Sequence, residues 1–326
     1  MLGVVAIGRN EGDRLRRCLE SLVGQATQIV YVDSGSTDGS VDLARSLGVD
    51  VVELDLSIPF TAARARNAGF IRLMQLNPRL EFVQFVDGDC EVAAGWLATA
   101  ERFLRDNSRF AVVCGRRRER FPQATRYNLL CDIEWNTPVG EAKACGGDAL
   151  MRVASVQQVN GFNSGLIAGE EPELCVRLRR QGWKIYRLDA EMTLHDAQMT
   201  KFGQWWKRSQ RAGHAFAEGS YMHGAPPERH WVKETRSNWL WGLVVPVVAV
   251  FLAIPTYGLS LLLFLAYPLL MLRISRYMQR QGYPANEARL YALFCMVGKV
   301  PNALGQLQFV WNHRMGQRSR LIEYKS

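Results

Sequence analysis

Apolar and polar positions alternate in short blocks through the first half of the chain. Leu2–Ile7 is a continuous apolar run that predicts a strand, and the polar stretch Gly8–Gly12 predicts a turn after it. Asp13 reads as the N-cap of an amphipathic helix, Leu15–Val23. The alternation continues with strand Ile29–Val32, helix Val41–Leu47, strand Val49–Leu54, helix Ala62–Gln75, strand Phe82–Val86, helix Trp96–Leu104 and strand Ala111–Gly115. Strands and helices in turn predict an α/β fold, a mostly parallel sheet covered by helices. Arg9–Glu11, Asp33 and Asp87–Asp89 then fall at the carboxyl ends of successive strands, where open parallel sheets bind their ligands.

The pattern changes in the last third. Trp239–Leu272 runs for 34 residues without a charge. One straight helix of that length would measure ~50 Å against ~30 Å of bilayer hydrocarbon. Pro255-Thr256-Tyr257-Gly258 is a turn signal near the middle and predicts a hairpin whose arms, of 16 or 17 residues, are marginal for a full crossing. Arg229, Lys233 and Arg236 precede the stretch, and Arg273, Arg276 and Arg280 follow it, so both ends are expected on the cytoplasmic side. A buried core hairpin is the alternative. Arg289–Trp311, interrupted by Lys299-Val300-Pro301, suits an interfacial helix pair. The chain is thus expected to divide into a catalytic domain, 1–220, and a membrane-associated helical region, 221–326. The latter comprises the apolar hairpin 239–272, then interfacial helices and a basic tail over 273–326.

Charge sharpens that expectation. The net charge is +9, and residues 273–326 hold nine Lys/Arg against two acids. Beside a lipid-sized apolar stretch, such a tail points to anionic membrane lipids and not to nucleic acid. The seven cysteines form no C-x-x-C pair, which reads as reduced intracellular thiols. Met1 leads into a strand without a basic leader, so catalysis is expected at the cytoplasmic face of the inner membrane. No G-x-G-x-x-G follows the first strand and no P-loop occurs, which removes support for a dehydrogenase or P-loop ATPase.

Four pieces carry candidate chemistry. Asp87-Gly88-Asp89 ends a strand, and two carboxylates there can hold Mg²⁺ or Mn²⁺ gripping a substrate diphosphate; a solvated turn uses the same residues. Asp33 opens the turn Ser34–Ser40, where it can accept a base N–H or ribose hydroxyl, or simply form an Asx turn, while Asp38 suits an N-cap. Arg64, Arg66 and Asn67 lie early on a helix, where a guanidinium can neutralise diphosphate. Finally, Gly169-Glu170-Glu171-Pro172-Glu173-Leu174 leads into a helix, Glu173–Gln181, whose start favours ionised acids.

Taken in order, Ala6-Ile7-Gly8-Arg9-Asn10-Glu11, Val32–Ser40, Ala65-Arg66-Asn67-Ala68-Gly69, Asp87-Gly88-Asp89, Cys145-Gly146-Gly147 and Gly169–Leu174 resemble the inverting glycosyltransferases of family 2, which have the GT-A fold. The resemblance covers roughly Val4 to Gly219. It implies nucleotide binding by Ala6, Arg9, Glu11, Asp33, Arg66 and Asp87, with metal at Asp89, Asp87 and His195. Gly146 and Gly147 would form the floor beneath the donor sugar. Glu171, or its neighbour Glu170, would be the catalytic base where the family more often has Asp. Gln204-Trp205-Trp206-Lys207-Arg208 only partly echoes the family's Q-x-x-R-W box; Trp205, Arg208 and Arg211 would stand on the acceptor side, or pack a helix.

The implied activity is inverting, metal-dependent transfer of a sugar from a nucleotide-diphosphate sugar, UDP-glucose first, to a polyprenyl-linked saccharide of the exopolysaccharide type. A polyprenyl-phosphate sugar synthase is the nearest alternative. A sugar nucleotidyltransferase would need a Gly-rich basic loop that Ala6–Gly12 does not supply, and a non-enzymatic scaffold has no use for clustered carboxylates.

Overall fold

The computed structural model describes residues 1–317 and 321–323. It separates into two compact units, Met1–Gln198 and Met199–Ser326. The first holds nine strands: β1 Leu2–Gly8, β2 Gln28–Asp33, β3 Asp50–Glu53, β4 Phe82–Asp87, β5 Cys90–Val92, β6 Phe110–Glu119, β7 Gly140–Ala142, β8 Ala149–Arg152 and β9 Lys184–His195. They form one sheet in the order β3-β2-β1-β4-β8-β6-β9-β5, with β7 on β9.

The expectation of a mostly parallel sheet needs correction. β1 to β4 pair in parallel, as does β6 with β9, but β4–β8, β6–β8, β5–β9 and β7–β9 are antiparallel. The sheet is mixed. Its first half matches the predicted alternation because each of those strands is a continuous apolar run. β5, β7 and β8 are three or four residues long and leave no periodicity to read.

The chain reverses direction across the sheet between β1 and β4, so Gly8 and Asp87 end neighbouring strands at a switch point. The helix Ala62–Leu76 lies close on β1 and β2 because Gly69 has no side chain. A Cβ there would fall 2.4 Å from Val5 Cγ1 and 2.8 Å from Val32 Cγ2. Thr61 caps this helix by accepting the Arg64 N–H, which sets Arg66 in its first turns. Asp13 is the first residue of the helix Asp13–Glu20 and not its N-cap, a position held by Gly12. Asp38 is not an N-cap either, since Gly39 holds that position before the helix Ser40–Ser46, but it accepts from the backbone N–H and hydroxyl of Ser40 and from the N–H of Gly12.

The second unit is helical and begins earlier than the expected boundary at 220. The helix Phe202–His223 packs along Lys299–Arg314, where Gly213 and Gly305 allow near backbone contact, and so belongs with this unit. Val232–Phe251 is one helical arm with a π-helical step at Leu240–Val244, and Leu259–Arg280 is a second. The turn between them contains Pro255-Thr256-Tyr257-Gly258, with Tyr257 and Gly258 at positive φ. Ser260 Oγ donates to the Ala249 carbonyl at 2.7 Å, and Tyr267 stacks edge-on to Trp241, so the arms lie side by side. Many of their apolar residues are not buried in the folded unit: Phe251, Ile254, Tyr257, Leu259, Leu262 and Leu269 are each more than half exposed. Leu259–Arg280 is long and apolar enough to cross a membrane, with mean hydropathy 1.5. Ala285–Val297 and Lys299–Arg314 are the two helices of the segment expected as an interfacial pair. Within the basic tail, 318–320 and 324–326 lie outside the described residues.

Candidate active site

At the end of β4, Asp87 is clasped by two guanidinium groups, one buried and one half-buried. Arg66 Nη2 bonds its Oδ1 at 2.8 Å, and Arg117 Nη2 stands 3.6 Å from its Oδ2. Burial alone would raise the Asp87 pKa, but Arg66 and Arg117 outweigh it and hold the carboxyl below its ordinary value. Arg117 is anchored by Asp148 at 2.8 Å, and Asp148 also accepts from the Thr193 hydroxyl and the Asp87 N–H. Neither Arg117 nor Asp148 belongs to a motif. Their signal was tertiary, since β6 and β8 enter the site only once the sheet is assembled.

Asp89 faces a different partner. β5 runs antiparallel to β9 with Cys90 opposite His195, and this register puts His195 Nε2 3.1 Å from Asp89 Oδ2. A carboxylate oxygen and an imidazole nitrogen this close form a donor pair that suits a divalent cation such as Mn²⁺. Cys90 is adjacent and belongs to the same close group, its thiol pKa raised by burial. Asp87 falls in a second close group of possible ligands, with Cys90 and Asp148. Behind His195, Glu119 Oε2 lies 3.9 Å from Nδ1. Glu119 is buried and accepts N–H groups from Ala197 and Phe121.

Glu170 and Glu171 open the helix Glu170–Arg180 directly after Gly169, whose left-handed φ of 81° turns the chain into it. Acids in the first turn and arginines in the last complement the helix dipole. Arg66 Nη1 reaches Glu170 Oε1 and Glu171 Oε1, both at 2.8 Å. Burial pushes the Glu171 carboxyl up to about 7 despite Arg66, with Glu170 and Asp87 adding to the rise. A carboxyl titrating near neutrality is suited to general-base work. Of the pair, Glu171 is the more accessible, its side chain 13% exposed against 5% for Glu170.

Several expected roles change. Arg66 is only 2% exposed and its terminal nitrogens hold three carboxylates, so it is no open clamp for diphosphate. Asp33 forms an Asx turn, with Oδ2 accepting from Gly35 and Ser36 while Oδ1 accepts from the Tyr31 hydroxyl. Ala6 is wholly buried in mid-strand between Tyr31 and Val86. Glu11 pairs with Arg14 at 2.7 Å, and Arg9 lies over the Phe60 ring. Gly147 touches the centre of the site: a Cβ there would fall 2.7 Å from both Arg66 Nη2 and Asp87 Oδ2. Gly146 has only Arg117 Nη2 nearby, at 4.0 Å. In the second unit Trp205 is buried against Phe294 and Phe202, a packing residue with no face for a sugar. Arg208 and Arg211 are half-buried on the same helix.

Residues 4–146 match the family described as glycosyl transferase family 2. The matched residues lie wholly within the first unit. The chain is 24% identical to the glycosyltransferase AglE of Haloferax volcanii over 219 residues, 63% of this chain and 69% of that one. A mannosyltransferase of Pyrobaculum calidifontis, solved with GDP-mannose and Mn²⁺, superposes with a TM-score of 0.63 at 17% identity, covering 95% of this chain and 87% of that one. Glucosyl-3-phosphoglycerate synthase of Mycobacterium tuberculosis, solved with Mn²⁺, UDP and phosphoglyceric acid, gives 0.51 at 17% identity over 69% and 79%. These likenesses agree with the GT-A fold expected of the domain.

Proposed function

We propose that this chain is an inverting, metal-dependent glycosyltransferase that moves a sugar from a nucleotide-diphosphate donor to a lipid-linked acceptor at the cytoplasmic face of the membrane. One observation carries the reading: Arg66 joins the candidate base Glu171 to Asp87, two residues before the Asp89–His195 pair. Base and donor-side acids are thereby held at one strand end.

Asp89 and His195 would hold Mg²⁺ or Mn²⁺, which neutralises the departing nucleoside diphosphate. Gly146 and Gly147 leave room for the donor sugar beside Arg117 and Asp87. Glu171 accepts the proton of the acceptor hydroxyl as that oxygen attacks the anomeric carbon, and a single displacement inverts the centre. Glucose and mannose donors head the candidates, since two structural relatives were solved with GDP-mannose and with UDP.

The membrane half of the reading rests on the exposed arms. Leu240–Phe251 spans roughly 18 Å as a helix, less than the ~30 Å of hydrocarbon. Lys233 and Arg236 lie in the first turns of the first arm, and Arg273, Arg276 and Arg280 close the second, a basic collar suited to anionic headgroups. A screen of UDP- and GDP-sugars for Mn²⁺- or Mg²⁺-dependent turnover, with and without a polyprenyl-linked saccharide, tests the assignment. Inertness toward every donor, with no thermal stabilisation by any of them, would reject it.

A further inference from the structure

We propose that Arg66 is a positioning residue, a single buried guanidinium that aims Glu171 and ties it to the donor end of the site; this rests on the glycosyltransferase reading above. The geometry is specific. Nη1 is shared by Glu170 and Glu171 and Nη2 is given to Asp87, each at 2.8 Å, with the guanidinium 5.6 Å from the Phe162 ring centroid. Three carboxylates on one cation leave the cluster with a surplus of negative charge, so the balance among them is set by which atoms Arg66 reaches. The planar fork of arginine matches that task, whereas a lysine would offer a point charge to one acid at a time.

Arg66 and Glu170 push Glu171 in opposite directions. The groups bearing on Glu171 are Arg66, Glu170, Asp87 and the buried thiols Cys145 and Cys175. An opposite charge at hydrogen-bond distance favours the ionised base, and a like charge beside it favours the protonated acid. Removing Arg66 must therefore make Glu171 harder to ionise, and neutralising Glu170 must make it easier. A guanidinium that merely packs would produce neither change, and one that binds donor would show itself in donor affinity.

The test is the pH dependence of kcat/KM for wild type, Arg66→Gln, Arg66→Lys and Glu170→Gln, together with donor KM. In Arg66→Gln the acid limb should move up by about 1–3 pH units, the range for losing a close opposite charge. Turnover near neutrality should drop while donor KM holds. Glu170→Gln should move the limb down, and Arg66→Lys should fall between wild type and Arg66→Gln. If Arg66→Gln does not fold, Glu170→Gln and Arg66→Lys still decide the matter. Unmoved limbs in folded variants, or a rise in donor KM with an unchanged limb, overturn the proposal. Should wild type turn over no donor, the glycosyltransferase reading is what fails. The Glu171 carboxyl, assigned by Glu171→Gln and followed by carbon NMR, must even then shift in the same two directions, and absence of both shifts overturns the positioning role.

Discussion

His195 Nε2 lies 3.1 Å from Asp89 Oδ2, held there by the antiparallel register of β5 on β9. Asp89 directly precedes β5 and His195 ends β9, so the pair depends on the pairing of these strands. Asp89→Ala should therefore leave the fold intact while abolishing transfer. Turnover measured with Mn²⁺ or Mg²⁺, and after chelation, checks this; wild-type rates that persist in EDTA contradict the metal assignment.

Glu119 stands behind His195 at 3.9 Å and is itself fixed by backbone N–H groups. Groups of this kind orient a ligating imidazole, and losing one typically costs about 10–100-fold in metal affinity. Glu119→Gln should fall near the lower end, because 3.9 Å is longer than a hydrogen bond. Mn²⁺ binding followed by electron paramagnetic resonance reads the effect without turnover. Unchanged affinity would leave Glu119 as a purely structural acid.

Glu171→Gln should keep donor binding and lower turnover by ~10²–10⁴, the usual share of general-base catalysis. The sign of the pH dependence follows from its raised pKa. A base must be ionised, burial places the Glu171 transition at about 7, and so activity should rise with pH through about that value and level above it. A limb centred near an ordinary carboxylate value, or collapse of donor affinity in Glu171→Gln, would assign the residue to binding instead.

The two glycines of Cys145-Gly146-Gly147 should respond differently. A Cβ on Gly147 meets Arg66 Nη2 and Asp87 Oδ2 at 2.7 Å, and neither end is free to swing because they bond each other. Gly147→Ala should cost about 10²-fold in kcat/KM, the scale of a 1 Å displacement among reacting groups. Gly146→Ala has 4.0 Å of clearance and should be milder without substrate contacts. Equal effects would mean that the bound sugar, not the Arg66–Asp87 pair, sets the requirement.

The reach of sequence reasoning here follows from how each feature is encoded. β1 to β4 and their helices were legible because apolar runs and turn residues are local signals. The turn at Pro255–Gly258 was legible for the same reason. Arg117, Asp148 and Glu119 were not, because no short motif marks them and only strand pairing brings them to the site. Arg66 was legible as a site residue but its three carboxylate partners were not, because a motif marks an arginine near a site and not the groups its nitrogens meet. Trp205 failed similarly, since spacing along a helix cannot tell a sugar-facing indole from one packed on Phe294.

The last prediction concerns the two apolar arms. Their outward residues, among them Leu262 at 59% exposed, are held by nothing in the folded unit, so a charge there should not unfold it. In a bilayer the same charge is costly: ~2.5–3.5 kcal/mol at mid-depth on insertion scales. Leu262→Arg should thus weaken membrane retention while its thermal stability in detergent stays near wild type. Deleting 239–272 should release the chain from membranes and slow transfer to a lipid-borne acceptor far more than donor hydrolysis. Fractionation with carbonate and with high salt separates the sources of attachment. Wild type should resist both washes. If salt alone strips it, the basic tail holds the chain electrostatically, and the exposed arms must cover themselves against something other than lipid.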